Sequence, residues 1–93
     1  PKTAASAPAA LAREQAVAVV VPVRDERVDL QALVGAIAGA LRERRFEIAL
    51  VDDGSRERIE LVPRPFLRVL LHEEGRGYGA ALKTGIRATS APW

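Results

Sequence analysis

Ile48-Ala49-Leu50-Val51-Asp52-Asp53-Gly54-Ser55 decides the fold. An apolar run meets a pair of carboxylates, then a glycine and a serine. Such a run, bounded by turn residues, reads as a strand buried on both faces of a parallel sheet. In open α/β sheets, ligands bind just beyond the carboxyl ends of the strands. A carboxylate pair there faces a crevice, whereas the same pair in mid-strand would be buried at a cost. Gly54 can take positive φ, so a sharp turn can follow the pair directly. Taken alone, the pair reads equally well as a turn in which Asp53 or Ser55 caps the next segment.

The flanking sequence extends the pattern in both directions. Ala16 to Val23 is a Val-rich run that reads as a first strand, limited near its end by Pro22. The polar cluster Arg24-Asp25-Glu26-Arg27 leads into a helix. Leu30, Leu33, Val34, Ile37 and Leu41 form its apolar stripe. Asp25, Glu26 and Asp29 near its start, and Arg42, Arg44 and Arg45 near its end, suit the helix dipole. Phe46 to Val51 is the second strand. Arg56 to Val62 reads as one or two helical turns, stopped by Pro63 and Pro65. Phe66 to Leu71 is the third strand. His72, Glu73 and Glu74 read as a solvated loop, and a single His makes no metal constellation. Gly75 to Tyr78 is a glycine-rich loop before a second helix, about Gly79 to Ala88. Tyr78, Leu82 and Ile86 share one stripe of it, with Lys83 and Arg87 on a neighbouring stripe. This order predicts an α/β domain: a parallel sheet of about three strands with flanking helices.

Composition narrows the partners. The chain has 93 residues, 48% of them hydrophobic and 28% charged, which suits one small domain. Residues 1–15 read as a flexible Ala/Pro-rich leader, with Leu11 to Gln15 as a short helical lead-in; residues 16–93 read as the folded domain. A net charge of +2, with basic residues spread along the chain, does not point to nucleic acid. There is no Cys, so disulfides and thiolate metal sites are excluded. No apolar run is long enough to span a bilayer. A cytoplasmic location is expected, at the cytoplasmic face of a membrane if other parts supply an anchor.

All three strand ends carry chemistry, and a parallel sheet puts them on one edge. Pro22-Val23-Arg24-Asp25-Glu26 follows the first, Asp52-Asp53-Gly54-Ser55 the second and Gly75-Arg76-Gly77-Tyr78-Gly79 the third. Acceptors for a base or ribose, with glycine amides and cations for phosphate, describe a nucleotide site. Gly75 to Ala80 also fits G-x-G-x-x-A, the dinucleotide fingerprint, but after a third strand instead of the first. Gly77 to Thr84 has Lys-Thr at P-loop spacing, but Leu82 stands where that motif needs glycine.

In this order the segments resemble the N-terminal part of family 2 glycosyltransferases. They look closest to polyprenyl-phosphate sugar transferases of the dolichol-phosphate mannosyltransferase type. The resemblance rests on Val19 to Glu26, Val51 to Ser55 and Gly75 to Ile86, and covers about Ala16 to Trp93. It implies a partial GT-A (Rossmann-like) fold, a nucleotide-sugar donor of UDP or GDP type, and a divalent metal, Mg or Mn. It also implies inverting transfer, in which an acceptor oxygen attacks the anomeric carbon while the metal stabilises the departing diphosphate. A polyprenyl phosphate is the implied acceptor. By this resemblance Pro22, Val23 and Glu26 border the base and ribose. Asp53 accepts a base N–H with Asp52 beside it, and Gly77 and Lys83 lie near the nucleotide, Lys83 toward phosphate.

The sequence also departs from the family pattern. Arg24 stands where many relatives have an aromatic residue, although a guanidinium can stack its plane on a base. Gly75 replaces a commonly polar residue, and the link from Ser55 to Phe66 is short. The family's Asp-x-Asp metal motif follows the next strand, and this sequence stops at Trp93. Residues 16–93 are therefore expected to be the truncated nucleotide-binding part, without catalytic or metal residues and inactive alone. Two other readings stay open: a dinucleotide-binding oxidoreductase fragment, and a non-enzymatic module that self-associates through an exposed sheet edge.

Overall fold

A computed structural model describes residues 16–89. The elements are β1 (Val17–Val23), α1 (Leu30–Ala40), β2 (Phe46–Asp53), β3 (Leu67–His72) and α2 (Tyr78–Ala88). The strands form one parallel sheet in the order β1-β2-β3. This is the α/β class expected. Residues 1–15, with the leader and the helical lead-in assigned to them, lie outside the described residues, as do residues 90–93.

β2 is central, and Ile48 to Asp53 are all buried. Its apolar run has no polar side to offer water, so it takes the one position covered on every side. β1 and β3 flank it and are more exposed: the interior of β1 is only half-buried, because this strand has a neighbour on one side. Side-chain alternation along the strands separates two faces. On one face Val23, Ile48 and Leu50 pack with Leu30 and Val34 of α1. On the other, α2 approaches so closely that a Cβ on Gly85 would overlap Val20 Cγ1.

Three expectations are corrected. Arg56 to Val62 forms no helix. Ile59 and Leu61, two residues apart, both pack against the α1 face of the core. Extended chain achieves that spacing and a helix does not, and so short a helix would not repay its nucleation cost. Val62 N–H instead donates to Gln31 Oε1 on α1 at 2.9 Å. The second correction concerns α2, whose inward face is Ala81 and Gly85. Tyr78 is 69% exposed and Ile86 47%. Close approach to Val20 selects the small stripe over the large one. The third concerns the carboxylate pair, which is not past the strand end. Asp52 and Asp53 are the last two residues of β2, and both are buried.

Asp29 starts α1 as its N-cap, with its side chain accepting from Ala32 N–H at 3.0 Å. The other candidate first-turn acids, Asp25 and Glu26, lie in the loop before it. The register pairs Val23 with Asp52 and Asp53 with His72. The three strands therefore end together on one edge of the sheet.

Candidate functional site

Asp53 lies at the centre of that edge, and hydrogen bonds offset the cost of its burial. Its Oδ1 accepts from the backbone N–H of Arg76 at 2.9 Å and bonds His72 Nδ1 at 2.8 Å. Its Oδ2 accepts from the backbone N–H of Gly77 at 2.9 Å. The Arg76 N–H, then the His72 contact, lower its pKa from 3.8 to about 2. Asp53 is thus a carboxylate at neutral pH and can only accept. His72 Nδ1 must therefore carry the hydrogen. His72 Nε2 lies 2.7 Å from Thr84 Oγ1 on α2. One buried carboxylate thus joins the end of β3, the glycine loop and α2.

His72 is a further correction. It is not solvated with Glu73 and Glu74; it is 5% exposed, as the last residue of β3. Extending the third strand by one residue beyond Leu71 would have set it beside Asp53 in a parallel register. The Thr84 contact had no such signal, because it depends on how closely α2 packs.

Asp52 points to the opposite face, by strand alternation, and holds the loops. Its Oδ1 accepts from Ser55 N–H at 2.9 Å. Ser55 Oγ accepts from Asp25 N–H at 2.9 Å, and Asp25 Oδ1 accepts from Arg56 N–H at 2.8 Å. Asp25 takes φ 51°, which a short polar side chain tolerates. The sequence offered Asp25 as a helix-start charge and as part of the first strand-end segment; its staple to Ser55 and Arg56 spans two loops. Gly54, at φ 83°, lies so near Gly75 that a Cβ would come within 2.6 Å of Gly75 N. That contact brings the β2 and β3 loops together.

A cavity of about 250 Å³ opens on this edge. Of the eight candidate residues, it is lined by Pro22, Val23, Arg24, Glu26, Asp53 and Gly77. Tyr78 and Ala81 complete it. A larger concavity, about 540 Å³, adjoins it across Glu26 and is lined by Arg27, Arg56 and Arg58. Asp52 lines neither. Lys83 lines neither and is exposed; two residues on from buried Ala81, it turns about 200° away from the sheet. Arg24 fills the space that a side chain on Gly75 would need: a Cβ there would lie 2.8 Å from Arg24 Nη1. The two departures from the expected pattern thus occupy one place.

Fold and cleft together define an α/β domain with a cavity at its strand ends. The family profile described as Glycosyl transferase family 2 matches residues 18–93, and the chain belongs to that family. Its short parallel sheet with flanking helices is consistent with a partial GT-A, Rossmann-like fold. No curated protein matches the chain significantly. Family membership supports a glycosyltransferase function in general.

The family generally uses a divalent metal, and the residues in hand do not fit one. Among the described residues no group of three His, Cys, Asp or Glu side chains converges. Asp53 has three of its acceptor positions occupied by N–H donors, and Asp52 Oδ1 is engaged by Ser55. Among the described residues, no helix is long and apolar enough to cross a membrane.

Proposed function

We propose that the strand-end cleft binds the nucleotide of a nucleotide-sugar donor, of UDP or GDP type. In this reading residues 16–93 are the nucleotide-binding part of a GT-A domain that transfers the sugar to an acceptor such as a polyprenyl phosphate. The observation that carries it is the shared cavity of Pro22, Val23, Arg24, Glu26, Asp53 and Gly77. Pro22 and Val23 give an apolar wall for a base. Arg24 gives a cationic plane that can stack on it. Glu26 is exposed and can accept from ribose hydroxyls. Asp53 is ionised and can accept a ring N–H. Gly77, at φ 98° with open space beside it, lets a phosphate approach the amino end of α2. Asp52 acts through the loop it holds, and Lys83, which faces away from the sheet and lines neither concavity, is left out of this site. In the transfer itself an anionic phosphate oxygen of the acceptor forms a bond to the anomeric carbon as the bond to the diphosphate breaks, so no proton need be removed from the acceptor.

Thermal unfolding with UDP, GDP and their sugar conjugates tests this reading. A nucleotide at a hundred times its Kd should stabilise the chain by about 2.7 kcal/mol. Arg24→Ala and Glu26→Ala, both at exposed positions, should reduce the shift without lowering the melting temperature of the free protein. No shift at millimolar nucleotide would remove the reading.

A further inference from the structure

Asp53 does not offer a whole carboxylate to a ligand. A carboxylate has about four acceptor positions, two on each oxygen. Both positions on Oδ1 are filled, by His72 Nδ1–H and Arg76 N–H. One on Oδ2 is filled by Gly77 N–H. A single acceptor position remains, on the oxygen shared with Gly77, and both residues line the cavity.

We propose that this site selects its nucleotide by donor count: it takes a base that offers one ring N–H, a uracil-type imide, in preference to guanine, and His72 is the positioning residue that imposes the choice. The proposal rests on the nucleotide reading above. Guanine presents a ring N–H and an exocyclic amine side by side, a pair of donors that engages both oxygens of a free carboxylate. Here the second donor would meet Oδ1 with no position left, and burying it unpaired costs binding. Uracil presents one N–H between two carbonyl oxygens. Its single N–H matches the one open position on Oδ2. Thr84 supports the arrangement, since its hydroxyl at Nε2 leaves the ring hydrogen on Nδ1, facing Asp53.

Calorimetric titration of the whole chain with UDP, 3-methyl-UDP, GDP and IDP tests this. UDP should bind best. Methylation of the ring N–H should weaken binding about tenfold or more. IDP, a purine with one ring N–H and no exocyclic amine, leaves no donor unpaired and should bind more tightly than GDP. His72→Leu vacates a position on Oδ1 and should shift the preference toward GDP over IDP. His72→Asn, which keeps a donor near Nδ1, should restore the wild-type order. The wild-type comparisons decide the matter whether or not His72→Leu folds. GDP as tight as IDP or tighter, GDP equal to UDP, or 3-methyl-UDP equal to UDP overturns donor counting and leaves the nucleotide site standing. Failure of all four to bind overturns the nucleotide site and the donor-count rule together.

Discussion

A buried carboxylate is tolerable only if its partners replace the water it loses, and Asp53 gathers three. That dependence has a pH signature. The Asp53 pKa is lowered from 3.8 to about 2 in the fold, so its contribution to stability is fully present above 3.8. It is lost as the pH falls from there through about 2. Asp53→Asn would set an amide N–H₂ against one of the N–H donors that now face the carboxylate. Urea midpoints should show the variant less stable than wild type at neutral pH, with the gap narrowing steadily toward pH 2. A gap of constant size would show that the charge of Asp53 does not matter. At Gly75, substitution by Asn should displace the Arg24 guanidinium, whose Nη1 lies 2.8 Å from the site of a Cβ. Nucleotide affinity should then fall, with some loss of stability: the Arg24 side chain can move aside, but the backbone oxygen of Asp53, 3.2 Å from the same Cβ, belongs to buried β2 and has little room to give.

Elements here are set by how closely they must approach. α2 turns Gly85 toward Val20 and leaves Gly79 in open space. Gly85→Val should therefore cost about 1–3 kcal/mol through overpacking. Gly79→Ala should be neutral or stabilise by up to about 1 kcal/mol, as helix propensity dictates. Both are read from denaturant midpoints, and equal effects would contradict the packing described. The same closeness explains what the sequence did and did not disclose. β1, β2, β3 and α1 follow from apolar runs and a 3.6-residue stripe, which are local patterns. The inward face of α2 is not local: periodicity favoured Tyr78, Leu82 and Ile86, but Val20 across the gap selects Ala81 and Gly85. The link after Ser55 misled for a related reason. Its charges and apolar residues resemble a helix, while Ile59 and Leu61 are held extended by the core beneath them.

At the scale of the whole molecule, one strand supports two faces. β2 carries Leu50 into the α1 core, fully shielded from solvent, and ends in Asp53 on the other face. Leu50→Ala should cost about 2–5 kcal/mol and lower the melting temperature. Six of the eight candidate site residues share one cavity because a parallel register ends the strands together. That convergence was legible from topology alone. The role of His72 was not, since it needs the register to within one residue. The site's position is tested most directly by backbone amide NMR of the chain titrated with UDP. The account predicts saturable shifts concentrated at Val23, Arg24, Asp53, Arg76 and Gly77. Shifts confined to the α1 face or the 56–66 link, or none at millimolar UDP, would contradict it.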